Sequence, residues 1–285
     1  MAKLMERQMD ADIESQLTRL LLFVLLILLY VEISALLPRL APIELRGAVA
    51  TLAFFLVMGL MYATVSAFLR WEGRGSISNL GLKIDDTFAI HLFFGAIAGG
   101  AAAGLVVLIA LFFGGQLRPA SEITVDLLVS EAIITIPVAL IEELCYRGYM
   151  LTRMVRLWGR ATGILVSSIV FALFHFSWWT PLGTVPPLLI VMFTANIALG
   201  GAVLSIGYYL SGERLWVPIG FHFGWNVVAY VMFPVYPRTP VMLPEVFQIE
   251  WGVTTVAGFL FGLSLLHLLL SRQRMNMTRN RGRGR

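Results

Sequence analysis

The chain has 285 residues, 58% of them hydrophobic and 13% charged, with a mean hydropathy of +0.82. Soluble globular proteins carry about a quarter charged residues, so an ordinary soluble domain is excluded. The net charge of +4 sits in short loops and in a tail of arginines from Arg272 to Arg285. That pattern suits anionic lipid, and no nucleic-acid partner is read from it. The single cysteine, Cys145, excludes a disulfide framework and any multi-cysteine metal cluster.

Residues 1–19 mix charges such as Lys3, Asp10 and Arg19 with apolar positions. They are too charged for a cleavable signal and are expected to form an amphipathic lead-in. A spanning helix needs about 20 apolar residues, and the apolar runs predict about eight. These cover about 20–37, 47–69, 87–114, 126–150, 161–179, 186–209, 215–233 and 251–270. Pro38 and Pro42 punctuate the first turn. Gly95, Gly99, Gly100 and Gly104 in the third run have the small-xxx-small spacing that lets helix backbones approach. The expectation is one all-α, polytopic integral membrane domain over 1–285, with a motif-bearing core at about 79–233 and a basic tail at 271–285. Of the 21 Lys and Arg, 17 fall in the segments on the side of the N-terminus. Basic residues near span ends favour the cytoplasm, so both termini are predicted to be cytoplasmic. The short loops and compact chain fit a prokaryotic cell membrane.

The most informative residues are the adjacent Glu142 and Glu143 in the fourth run, since an intramembrane acid costs about 2.5–3.5 kcal/mol on insertion scales. Arg147 follows Glu143 by four residues in the orientation that favours an ion pair. Glu142 points about 100° away and finds no cation in its own helix. It therefore needs another helix or a water-filled cavity, and a carboxylate held so is a candidate general base. The plainer alternative is that both acids and Arg147 form one packing network.

Four histidines occur. His175 closes FALFH, with Phe171 four residues earlier on the same helical face; His222 lies in FHFGWN, with Asn226 four residues on. Gly220 and Gly224 flank that second face and admit a neighbouring backbone or a substrate. His91 and His267 have no polar partner at helical spacing and are read as interfacial. Counting from the expected helix ends, Glu142 lies roughly 12 Å deep, His222 roughly 11 Å, Asn226 roughly 17 Å and His175 roughly 21 Å, a spread that requires tilt or a cavity.

EELCYR, FALFH and FHFGWN, in this order and on separate spans, resemble the three motifs of the CAAX prenyl protease family of Ras-converting-enzyme type, grouped with bacteriocin-processing enzymes. LGLK before the third span is similar to the family's lead-in. The resemblance covers about residues 79–233 and implies an intramembrane glutamic endopeptidase that needs no cofactor. It implies that Glu142 and His175 activate a water, that His222 and Asn226 stabilise the oxyanion, and that Glu143, Arg147 and Phe171 support the site. Its substrate would be a membrane-associated peptide or protein, CAAX-prenylated or bacteriocin-like. Gly200, Gly201 and Gly207 are candidate linings of the cavity.

Three other readings stay open on the residues. Glu142, His175 and His222 supply donors for zinc, although no H-E-x-x-H occurs. The same fold without catalysis would be a membrane scaffold that holds hydrophobic or lipidated peptides. Glu131, Thr135 and Glu142 near one helical face suggest a transport path, without the inverted repeat many transporters carry. Cys145 is expected to be a packing residue. Asn196 is expected to bond a neighbouring helix, and a serine mechanism through Ser167 or Ser168 would leave the acid pair unexplained.

Overall fold

Apolar runs in lipid have no water to satisfy their backbone groups, so each closes its hydrogen bonds within itself as a helix. The computed structural model describes residues 2–73, 75–175 and 185–283, and among them there is no strand. The helices are α1 (Ala2–Leu40), α2 (Arg46–Trp71), α3 (Phe88–Phe113), α4 (Val125–Glu143), α5 (Thr152–Trp158), α6 (Arg160–Phe174), α7 (Pro187–Leu210), α8 (Trp216–Met232), the short α9 (Pro244–Phe247) and α10 (Thr254–Arg283). Between α4 and α5 the chain stays helical as a π-segment, Leu144–Leu151. The expected lead-in is not a separate element, because α1 runs through it without a break. The basic tail likewise continues α10 as helix to Arg283.

Five of these helices are long and apolar enough to cross a membrane, namely α1, α2, α3, α7 and α10. That criterion stops short of the eight expected spans for a physical reason. The remaining three, α4, α6 and α8, have 19, 15 and 17 residues, and they carry the motifs. The fourth expected run holds Asp126, Glu131, Glu142 and Glu143. The fifth ends as helix at Phe174, and its last expected residues, with Pro181, lie outside the described residues.

The centre of the bundle is the pairing of α3 with α8. A methyl group built on Gly95 would meet Val217 O, on Gly99 Phe221 O, on Gly220 Leu92 O and on Gly224 Ala96 O. Backbone therefore lies on backbone along about two turns, and the space beside Gly220 and Gly224 is filled by α3 rather than by substrate. Only half of the expected glycine ridge takes part. Gly100 has its nearest such neighbour at 3.8 Å and Gly104 has none within 4 Å. On the other side of α3, Gly258 and Gly262 of α10 lie against Ala102.

Both ends of α8 are tied. At its start Leu215 N donates to Gly81 O at 3.1 Å and Trp216 Nε1 to Lys83 O at 2.9 Å, so the LGLK segment is a clamp on this helix. Gly81 adopts φ +103 there, and a side chain would strike Glu213 O. Arg214 adds an ion pair to Asp85. Thr87 hydrogen bonds, from side chain and backbone, and then Arg214 hold the Asp85 carboxyl down at about 2. At the far end Arg118 donates to Val231 O at 3.0 Å, Tyr230 O at 3.1 Å and Phe233 O at 3.3 Å, satisfying carbonyls a helix C-terminus leaves open.

Candidate active site

The two acids stand at the C-terminal end of α4, where α-winding gives way to the π-segment. Such departures from the regular ladder recur at functional sites. Glu143 is fully buried and Arg147 nearly so, at 0% and 2% exposure. Arg147 Nη1 donates to Glu143 Oε1 at 2.8 Å and Nη2 donates to Gly201 O at 3.2 Å. Its guanidinium carbon lies 4.2 Å from the centroid of the Phe171 ring, a cation–π contact. The pair expected from the four-residue spacing is therefore present. Glu143 Oε1 takes a second bond, from His222 Nδ1 at 2.9 Å, which links motifs 79 residues apart.

Glu142 turns instead to a cavity of about 180 Å³ that it shares with Phe171, His175, His222, Asn226 and Glu250. Its Oε2 is buried and, among the described residues, has no hydrogen-bond partner. His175 caps α6, and its Nδ1 lies 2.8 Å from Phe171 O. A carbonyl only accepts, so Nδ1 carries the proton, and in the neutral ring Nε2 presents a lone pair. That Nε2 is 3.9 Å from Glu142 Oε2, beyond a direct hydrogen bond and suited to one water bonded to both. Phe171 thus serves two residues, its carbonyl orienting His175 and its ring backing Arg147. His222 and Asn226, one turn apart on α8, are both buried and both reach the cavity.

All four expected catalytic residues line one cavity; of the three expected supports Phe171 lines it too, while Glu143 bonds His222 and Arg147 packs on the Phe171 ring. The roughly 9 Å gap in depth between Glu142 and His175 disappears because the fourth rod runs on to Trp158. Counted from there, Glu142 is roughly 24 Å along and His175, from Arg160, roughly 22 Å.

The other expected residues are placed as follows. Gly200 lines the cavity, whereas Gly201 gives its carbonyl to Arg147 and packs on Ser168, and Gly207 packs on Leu266. His91 is buried in the first turn of α3 rather than interfacial, while His267 is exposed. Asn196 bonds a loop, not a helix: Nδ2 donates to Glu250 O at 2.9 Å and Gly252 O at 3.0 Å. Glu131 and Thr135 are not among the cavity-lining residues. Ser167 and Ser168 give their hydroxyls to Ile164 O, and Cys145 is buried with Sγ 3.9 Å from Met61 O. Among the described residues no three His, Cys, Asp or Glu side chains are grouped to hold a metal ion. Glu250 itself was not singled out by the sequence. An acid directly ahead of the last apolar run is its only local signal.

None of the curated proteins matches the chain. Residues 124–228 match the family described as type II CAAX prenyl endopeptidase Rce1-like, a narrower span than 79–233 that leaves the LGLK clamp outside but contains all three motifs. The chain is a helical, polytopic membrane protein, and its segment 124–228 is similar to the Rce1-like type II CAAX prenyl endopeptidases, the family its motifs resemble.

Proposed function

We propose that the protein is an intramembrane endopeptidase of the glutamic type, acting on a membrane-associated peptide or protein. The observation that carries this reading is the unpartnered Glu142 Oε2 facing the lone pair of His175 Nε2 at 3.9 Å inside a cavity. Two acceptors take both protons of one water and leave an oxygen lone pair free to attack a peptide carbonyl. As the C–O bond forms, Glu142 takes a proton, and the tetrahedral oxygen becomes negative. Asn226 and His222 are the donors on hand for that charge, and a preorganised donor is worth about 3–4 kcal/mol. With Nδ1 committed to Glu143, His222 donates through Nε2–H as an imidazolium, whose charge the Glu143 carboxylate faces. When the C–N bond breaks, the proton on Glu142 passes to the leaving amine.

A cavity of about 180 Å³ takes a side chain rather than a lipid, since one of about 150 Å³ holds a benzene. A prenyl chain on the substrate therefore stays outside it. The basic residues near the starts of α3, α6 and α8 support an orientation with both termini in the cytoplasm.

The test is cleavage of internally quenched peptides, prenylated and unprenylated, by wild type and Glu142→Gln with and without a zinc chelator. Cleavage lost in the variant and unaffected by chelation is the expected result. Loss on chelation, restored by zinc, would overturn the water mechanism in favour of a metal. Binding without cleavage by the wild type would make the protein a scaffold.

A further inference from the structure

The loop between α8 and α10 enters the cavity and brings a third carboxylate with it, that of Glu250. Its backbone is held in the left-handed region at φ 68, which a non-glycine residue adopts only when its surroundings impose it. Three bonds impose it here. Glu250 N donates to Thr255 Oγ1 at 2.8 Å, and Asn196 from α7 pins the carbonyls of Glu250 and Gly252. Each is made to the main chain, so the clamp leaves the side chain free for another use. The loop is therefore built to present a carboxylate to the cavity.

The surroundings of that carboxylate define what it receives. Among the described residues its one hydrogen bond is from Trp225 Nε1 at a long 3.4 Å, the imidazoles of His175 and His222 share its cavity, and no lysine or arginine pairs with it. Trp225 is stacked on Phe259 with ring centroids 4.1 Å apart, and both rings line the same cavity. A part-buried carboxylate beside an aromatic pair is the combination that takes a cation through charge and ring quadrupole together. It disfavours an anion or an uncharged polar group, which would leave the acid unpaired.

We infer that Glu250, with Trp225 and Phe259, forms a specificity pocket for a lysine or arginine side chain of the substrate beside the scissile bond. This rests on the endopeptidase reading above for its place in the reaction, but the pocket itself is tested without cleavage. The probes are n-butylguanidinium and its uncharged counterpart n-butylurea, added to the full chain in nanodiscs and read by thermal stability. Glu142→Gln is the background, so that no other cavity acid competes. Stabilisation by the cation and not by the urea is expected, and it disappears when Glu250→Gln is added. Gln keeps an acceptor for Trp225 Nε1, so the loop stays in place. Equal shifts for both probes, no shift for either, or a shift that survives Glu250→Gln would each overturn the pocket.

Cleavage then supplies the second arm. Wild type acting on an equimolar peptide library is expected to enrich Lys or Arg about tenfold at one fixed distance from the cut over norleucine, and Glu250→Gln to bring that ratio to about one. A uniform loss across all peptides would instead make Glu250 part of the chemistry and overturn its role in specificity. If no peptide is cut while the cation still binds, the protease reading fails and the pocket stands.

Discussion

The five long apolar helices and the three short motif helices solve opposite problems. The long ones, exemplified by α1, of whose apolar window only 17% is buried inside the protein, turn most of their side chains outward. Length and hydropathy account for most of their sequence, with exceptions where they meet the site, such as Gly99 of α3 and Asn196 of α7. Around the short ones the supporting charges are paired: Arg147 has a carboxylate, a carbonyl and a ring, and His222 has Glu143. Glu143 holds Arg147 and His222 through Oε1 and leaves only its Oε2 unpartnered, whereas among the described residues the carboxylate of Glu142 takes no hydrogen bond and faces the cavity. Support of the site is over-determined, while the reacting group is kept free.

The sharpest way to break this contrast is to exchange the two acids. Glu142→Gln is expected to lower cleavage about 10²–10⁴-fold, the range of a general base, with folded yield near wild type in size-exclusion profiles. Arg147→Ala leaves Glu143 charged and unpaired in the interior. It is expected to cost about 3–5 kcal/mol and to show as lost folded yield in detergent before any kinetic effect. If Glu142→Gln cost yield and Arg147→Ala cost only rate, the division of labour would be reversed. Gly99→Leu should cost about 3 kcal/mol or more in thermal unfolding, because its side chain meets main chain that cannot rotate away. Gly104→Leu, with open space around it, is the matched control and is expected to be near neutral. Asn196→Ala should destabilise by about 1–3 kcal/mol, the cost of leaving loop carbonyls unpaired, and is read by faster proteolysis of the segment between α8 and α10.

The smallest effect concerns the clamp on α8. Asp85 titrates at about 2 in the folded protein against an ordinary 3.8, so its contribution is complete above 3.8 and is lost as the pH falls towards 2. Thermal unfolding of Asp85→Asn should therefore lie below wild type at pH 7 and pH 5 and converge with it near pH 2. A difference that widened on acidification would show that the Asp85–Arg214 pair is not its source.

How much of this was legible in the sequence depended on distance along the chain. The Glu143–Arg147 pair follows from a four-residue spacing, because a helix puts those positions together whatever surrounds them. The Glu143–His222 bond does not, since it depends on how α4 and α8 are docked. The glycines of α3 announced a close approach but not its partner, and only two of the four make it. Glu250 was hidden because its position is set by a loop with no period, held by an asparagine on a different helix. The depth error at Glu142 arose from hydropathy itself: charged residues at 147–160 mark the end of an apolar run, not the end of the helix that contains it.

The contact between α3 and α8 has one more consequence. Main-chain atoms have no rotamers, so the separation of these two helices does not depend on which side chains face the lipid or how they move. A thinner or thicker bilayer is met by tilt, and helices joined backbone to backbone must tilt as one body. His222 and Asn226 then keep their register with α3 across membranes of different thickness, and the protein carries its own ruler for the site instead of borrowing one from the lipid.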